Sequence, residues 1–191
     1  MKEVFNIKFT RKDRKEIYKS KWIDLFVDSI ETESGNKIPE YHVLHYKNKS
    51  VCVIVENEKK QLLFVKANRY ITNDAAWEIP AGGVEDGEDS IVAAKREVKE
   101  ETGYDIRNVR KIYTYMPSNG MSDQIIDICF ANLNTKEQDN FDKEEIEEVR
   151  WYSIDEINKL IYSNIIIDGV SLIGLLLYKD RERVKEKEFQ R

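Results

Sequence analysis

The sequence predicts an α/β (α+β) sandwich, a β-sheet packed between helices, on three observations. Two strongly apolar runs, VCVIVE and QLLFVKANRY, are joined by the turn NEKK and read as neighbouring strands. A capped amphipathic run, EDSIVAAKREVKEETG, follows them and reads as a helix. Beyond it, strand-like and helix-like segments go on interleaving, the pattern of a layered sheet with helices on it.

The chain opens with MKEVFNIKFTRKDRKE, where no apolar stretch follows the basic residues, so no signal peptide is expected. From Trp22 onward apolar and polar residues alternate. Trp22, Asp24 and Phe26 fall on one side, and Ile23, Leu25 and Val27 on the other. SGNKIP is a turn punctuated by Gly35 and Pro39, and YHVLHY is a second strand. Residues 1–50 are therefore expected to form a small N-terminal antiparallel sheet that cannot stand alone, leading a domain over 51–191.

In that domain the strand pair is followed by WEIPAGG, a short strand running into a glycine-rich loop. Asp89 and Ser90 can cap the next helix, Ala93 and Ala94 favour it, and Gly103 stops it. RKIYTYMP and QIIDICFANL are strands on either side of the loop SNGMSD, and VRWYSI is a last strand. SIDEINKLIYSN reads as a short helix opened by Ser153 or Asp155, and DGVSLIGLLLYKDRERVKEK as a final helix with a charged tail.

Composition narrows the function. The 191 residues are 41% hydrophobic and 35% charged, a globular balance with no sign of disorder. A net charge of -5 argues against binding nucleic acid through a general basic field. The longest apolar run, IIIDGVSLIGLLLY, is broken by Asp168 and too short to cross a membrane, so no membrane association is expected. Cys52 and Cys129 lie far apart in separate apolar runs and read as buried free thiols of a cytoplasmic protein. An acidic protein that handles an anionic substrate needs local cations.

The chemistry concentrates in GGVEDGEDSIVAAKREVKEETGY, residues 82–104. On a helix Glu97 neighbours both Glu100 and Glu101, and Arg96 can pair with Glu100. Ile91, Ala94 and Val98 form the apolar stripe that buries this helix and sets where the glutamates point. Crowded carboxylates fit either a solvated helix face or a divalent cation, and hard oxygen ligands suit magnesium. Gly82 and Gly83 let backbone approach closely, and carbonyls there could complete a metal shell. His42 and His45 are three apart on a strand and point to opposite faces, so a shared ion is not expected.

Gly82, Glu88, Arg96, Glu97, Val98, Glu100, Glu101 and Gly103 stand at the spacing of the Nudix box, and the chain resembles that family over roughly residues 50 to 180. Tyr104 departs from the aliphatic residue usual at the last box position, which concerns packing. The resemblance implies the Nudix fold, a mixed sheet sandwiched between helices. It implies Mg2+, with Mn2+ as an alternative. It makes Glu97 and Glu101 metal ligands, with Glu100 holding metal or its water and the carbonyl of Ala81 or Gly82 as a further ligand. In that reading Glu100 and Arg96 also serve catalysis.

VKANRYITNDAAWEIPAGG further resembles the subgroup acting on ADP-ribose and other nucleoside diphosphate sugars. Arg69 and Glu78 match its substrate-binding positions, and the Arg69 fork suits diphosphate oxygens. Pro117 and SNGMSDQ resemble its proline loop, at a slightly short spacing from Gly103. The glutamate that the subgroup often uses there as base is replaced by Gln124, which cannot take a proton. Asp123 is one substitute, and Glu144, Glu145, Glu147 and Glu148 are others. The subgroup's N-terminal sheet exchanges across a two-fold dimer, which implies a homodimer here, with Trp22 helping to hold the base. The expected reaction is hydrolysis of ADP-ribose to AMP and ribose 5-phosphate. The alternatives are a dinucleoside polyphosphate or an oxidised nucleotide as substrate, or a nucleotide-sugar sensor that does not cleave.

Overall fold

Val51, Val53 and Val55 alternate with Cys52 and Ile54 along one strand, and all five are buried. A strand buried on both faces belongs in the middle of a sheet with a layer on each side. That strand, β4 (Ser50–Glu56), is central in the larger sheet of an α+β fold. The computed structural model describes residues 8–136, 141 and 143–189, the side chains of 136 and 181–189 excepted. Residues 1–7, at the head of the expected N-terminal segment, and the side chains of the charged tail beyond Asp180 thus lie outside the described residues.

The chain divides into two compact units, residues 1–49 with 116–125, and residues 50–115 with 126–191. In the first, β1 (Phe9–Lys19), β2 (Ile23–Thr32) and β3 (Lys37–Tyr46) form an antiparallel sheet in the order β1-β2-β3. One face of β2 carries two buried acids. Asp28 is gripped by both Nε and Nη2 of Arg14, each at 2.7 Å, and Asp24 pairs with Lys47. The 116–125 segment lies along β3, where Leu44 N–H donates to the Met121 carbonyl at 2.8 Å.

The second unit holds β4, β5 (Leu62–Arg69), β6 (Asp74–Glu78), β7 (Ala81–Gly83), α1 (Ser90–Thr102), β8 (Tyr104–Tyr115), β9 (Ile126–Lys136), β10 (Ile146–Tyr152), α2 (Ile154–Tyr162) and α3 (Gly169–Phe189). The sheet runs β10-β5-β4-β9-β8, with β4 and β9 parallel and the other pairs antiparallel. β4 and β5 pair only at Glu56 and Leu62, while β6 pairs with β5 and β7 with β4. The run from Asp74 to Gly83 therefore fills the wedge that opens between these two strands.

Each face of β4 feeds its own core. Val51, Val53 and Val55 pack with Ala93, Ala94 and Val98 of α1. Cys52 and Ile54 pack with Ile157 of α2 and with Leu175 and Tyr178 of α3. Burying each of these aliphatic side chains favours folding by about 1.5–3 kcal/mol, so α1 is pressed firmly on its face of the sheet. Local signals set the helix ends. The Asp89 side chain accepts from the N–H groups of Ile91 and Val92, and Gly103 ends α1 at φ 72°. Ser153 and Glu156 form a capping box on α2. Among the described residues no helix is long and apolar enough to cross a membrane.

Candidate active site

Burial of Ala93, Ala94 and Val98 fixes which side of α1 faces the glycine turn. Glu101 lies on that side, is only 5% exposed, and accepts the Ala81 N–H at 3.1 Å. Glu97 lies over Gly82 so closely that a Cβ there would fall 2.0 Å from its carboxyl carbon. Only glycine leaves the carboxylate that room. Burial pushes the pKa of both glutamates up, and for Glu101 the negative charge of Glu97 adds to it. Two desolvated carboxylates, one of which raises the other's cost of ionisation, suit a hard cation with oxygen ligands.

Arg96 braces this cluster with all five of its N–H donors. Nε and Nη2 bind Glu88 at 3.1 and 2.9 Å, and Nη2 also donates to the Gly83 carbonyl at 2.7 Å. Nη1 reaches Glu97 at 2.8 Å and Glu100 at 3.0 Å. The guanidinium holds Glu88 below the usual carboxylate range. Among the described residues no three His, Cys, Asp or Glu side chains converge in a ligating arrangement. Glu97 and Glu100 turn toward Arg96, and the Glu100 side chain is 59% exposed. The donor set still fits a divalent ion. Two buried acids, an exposed third and the carbonyls of a glycine turn are all hard oxygens within one short stretch of surface.

Arg69, at the end of β5, binds Glu78 with Nε at 3.0 Å and Nη2 at 2.5 Å. Its remaining nitrogen, Nη1, lies 3.8 Å from Glu145. Glu78 is 7% exposed and gives both oxygens to this arginine, so it orients the fork and leaves Nη1 toward Glu145. The Tyr104 departure has a packing reason: Trp151 Nε1 donates to its hydroxyl at 3.1 Å, with the two rings edge-to-face.

The structure thus gathers Ala81, Gly82, Glu88, Arg96, Glu97, Glu100 and Glu101, with the Arg69–Glu78 pair and Glu145 in the same unit. Asp123 and Trp22 belong to the N-terminal unit. Asp123 receives His45 Nδ1 at 2.5 Å and the Tyr46 N–H at 2.9 Å. Burial works to raise its pKa, but these two bonds outweigh it and hold the acid below its ordinary value. Trp22 sits in the bend between β1 and β2, 70% exposed, with the Lys21 ammonium 4.4 Å above its ring. Sequence reasoning did not find that Ser171 accepts the Ile79 N–H at 2.9 Å, tying α3 to the run before the glycine turn. A buried serine in an apolar helix was its only signal.

Crowded carboxylates and a carboxylate-anchored arginine in one unit fit metal-assisted hydrolysis of phosphoanhydrides. The NUDIX domain model matches residues 46–167, more than half of the chain, and the protein belongs to the Nudix family as a pyrophosphohydrolase of nucleotide-type small molecules. Such enzymes generally use a divalent metal. The chain is 32% identical, over 84% of its length and 77% of the relative's, to the CMP-5'-(N-acetyl-N-hydroxy-3-aminopropyl)phosphonate hydrolase of Streptomyces rubellomurinus. It is 27% identical to the ADP-ribose pyrophosphatase of Bacillus subtilis, over 92% of this chain and 95% of that one. A crystal structure of an ADP compounds hydrolase superposes with a TM-score of 0.82 at 15% identity, covering 93% of this chain and 96% of the other, which shows the shared fold.

Proposed function

We propose that this protein hydrolyses the phosphoanhydride of a nucleoside diphosphate joined to a non-nucleotide group, with ADP-ribose, cleaved to AMP and ribose 5-phosphate, the leading substrate. The carrying observation is the Arg69 fork, locked by Glu78 with one nitrogen left over, in the same unit as the box carboxylates. The names of the two relatives share one chemical feature that supports the class: a nucleoside 5'-monophosphate joined through an anhydride to a second phosphorus group that carries no second nucleoside.

In this reading Glu97 and Glu101 hold Mg2+, with Glu100 and the Ala81 carbonyl as further ligands and Mn2+ as a substitute. The ion supplies charge neutralisation on the two phosphates and lowers the pKa of a bound water. Arg69 binds the diphosphate, Glu78 aims Arg69, and Arg96 keeps the carboxylates in place. Asp123 and Glu145 are the two contenders for base. Asp123 has its carboxylate committed to His45 and Tyr46, whereas Glu145 is 53% exposed beside Arg69. The two buried free thiols, with burial pushing Cys129 up to about 11, support a cytoplasmic setting. The exposed outer strand β1 supports a homodimer, with Trp22 offered to the nucleobase.

The test is turnover on ADP-ribose, ADP-glucose, GDP-mannose, UDP-glucose and a CMP-linked phosphonate with Mg2+ or Mn2+. Diadenosine tetraphosphate and 8-oxo-dGTP serve as rivals. The class requires the nucleoside monophosphate to appear as product, with kcat/KM highest in the first group. A preference for either rival overturns it.

A further inference from the structure

We propose that Asp127 is a positioning residue for the box carboxylates, acting through Ser90 on the rotation of α1. The inference rests on the reading of Glu97 and Glu101 as metal ligands.

Asp127 lies on β9 opposite Val51 of β4 and Thr114 of β8, and it is fully buried. A carboxylate is costly in the middle of a sheet unless its oxygens are satisfied. Here Oδ2 accepts the Ser90 hydroxyl at 2.6 Å, Oδ1 accepts the Thr114 hydroxyl, and Lys111 Nζ stands 3.5 Å from Oδ1. Ser90 is the first residue of α1. The helix does not need this acid as a cap, because Asp89 already takes the N–H groups of Ile91 and Val92. The bond to Ser90 instead ties the helix sideways to the sheet.

That tie is on the stripe that matters. Ser90, Ala94, Glu97 and Glu101 are spaced by four, three and four residues, so they share one helix face. A rigid rotation of α1 about its axis therefore carries Glu97 and Glu101 along with Ser90. A rotation of about 10° moves a carboxylate roughly 6 Å from the axis by about 1 Å. Displacements of that size are worth up to about 10²-fold in rate. At the far end of the stripe the acids have little slack, with Glu97 over Gly82 and Glu101 on the Ala81 N–H. Asp127 supplies the matching fixed point at the near end.

The test compares Ser90→Ala, Asp127→Asn, Ser90→Thr and Thr114→Val in the full chain. The readouts are Mn2+ affinity of the protein alone by electron paramagnetic resonance, kcat and KM at saturating Mg2+, and Tm. Ser90→Ala and Asp127→Asn are expected to weaken Mn2+ binding and lower kcat by about 10-fold each, with KM little changed. Ser90→Thr keeps the hydroxyl and restores both. Thr114→Val removes a donor to the same carboxylate without touching α1, so Tm falls while Mn2+ affinity stays at the wild-type value. Wild-type Mn2+ affinity in Ser90→Ala overturns the proposal, as does an equal loss in Thr114→Val. If Asp127→Asn fails to fold, the Ser90 variants decide alone. Wild-type protein that binds no Mn2+ overturns the metal reading, and this proposal falls with it.

Discussion

Glu97 and Glu101 do opposite things for the fold and for the chemistry. Both are desolvated acids, and Glu101 raises the cost further by facing Glu97. Glu101→Gln removes a buried charge yet keeps an oxygen for the Ala81 N–H, so Tm should hold or rise while turnover falls by at least about 10³-fold, a loss of several kcal/mol of transition-state stabilisation. Near wild-type turnover at saturating Mg2+ would remove Glu101 from the metal site. Gly82→Ala tests Glu97 without changing it. The new Cβ would sit 2.0 Å from its carboxyl carbon, so the side chain must swing away and kcat should fall by about 10²-fold with little loss of Tm. Gly83→Ala, which meets nothing within 4 Å, is the control that should be nearly silent. The base is decided the same way: loss of a general base is typically worth ~10²- to 10⁴-fold in kcat. If Asp123 is the base, Asp123→Asn loses that factor and Glu145→Gln is mild, and the reverse pattern assigns the role to Glu145. At this scale the box was legible because a short helix converts spacing directly into neighbours. Arg96 with Glu100 followed from helix spacing, whereas Arg96 with Glu88, Arg69 with Glu145, Asp127 with Ser90 and Ile79 with Ser171 did not, since those pairings depend on where separate segments meet.

Elements were readable where one face is buried and obscure where none is. α1 starts at the expected cap and ends at Gly103, and α2 opens at Ser153, because local hydrogen bonds decide both. β1 escaped notice because it is exposed along its whole length and carries FTRKDRKEIYK, with no apolar alternation to betray it. Trp22, expected in a strand, falls in a bend because the Ser20 hydroxyl accepts the Trp22 and Ile23 N–H groups at 3.2 and 3.0 Å. The β1–β2 pairing is instead fastened by charge. The Arg14 guanidinium holds the buried Asp28 carboxyl below its usual range. A depressed pKa contributes stability above the unfolded value near ~3.9, and that contribution is lost as pH falls through the still lower folded value. Asp28→Asn should therefore destabilise the protein by about 1–2 kcal/mol at pH 7, the low side of a charge-assisted bond because Arg14 is one-third exposed. The gap between wild type and variant should narrow as pH falls below the unfolded value and on through the lower folded one. Urea unfolding at pH 7, 5, 4, 3 and 2 checks this, and a gap that persists undiminished at pH 2 would mean that packing, not the ion pair, is what Asp28 supplies.

At the scale of the whole molecule, the open question is how an exposed outer strand is tolerated. Among the described residues β1 pairs only with β2, runs 11 residues, and leaves Phe9 53%, Ile17 47% and Tyr18 56% exposed. Long edges with aromatic side chains invite pairing, and proteins that stay monomeric usually blunt them with a covering segment, a proline or inward-pointing charge. This strand carries two blunting devices, bulges between Arg11 and Asp13 and between Glu16 and Tyr18 and the charges of Lys12, Lys15 and Lys19, yet Phe9, Ile17 and Tyr18 stay exposed among them. A second copy of the chain is the partner that the homodimer reading calls for, and a two-fold contact closes on itself without growing further. Light scattering at micromolar concentration should therefore give twice the chain mass of 22.5 kDa. Ile17→Lys combined with Tyr18→Lys places charge on the exposed strand without removing any box residue, and should shift the protein toward monomer by at least about 10-fold in dissociation constant. Activity distinguishes a mere contact from a shared site. If Trp22 of one copy helps to hold the nucleobase in the other, KM for ADP-ribose rises together with the monomer fraction, and raising protein concentration restores it. A wild-type monomer at micromolar concentration sinks the dimer, and a monomeric double variant with unchanged KM keeps the dimer but removes Trp22 from the partner's site.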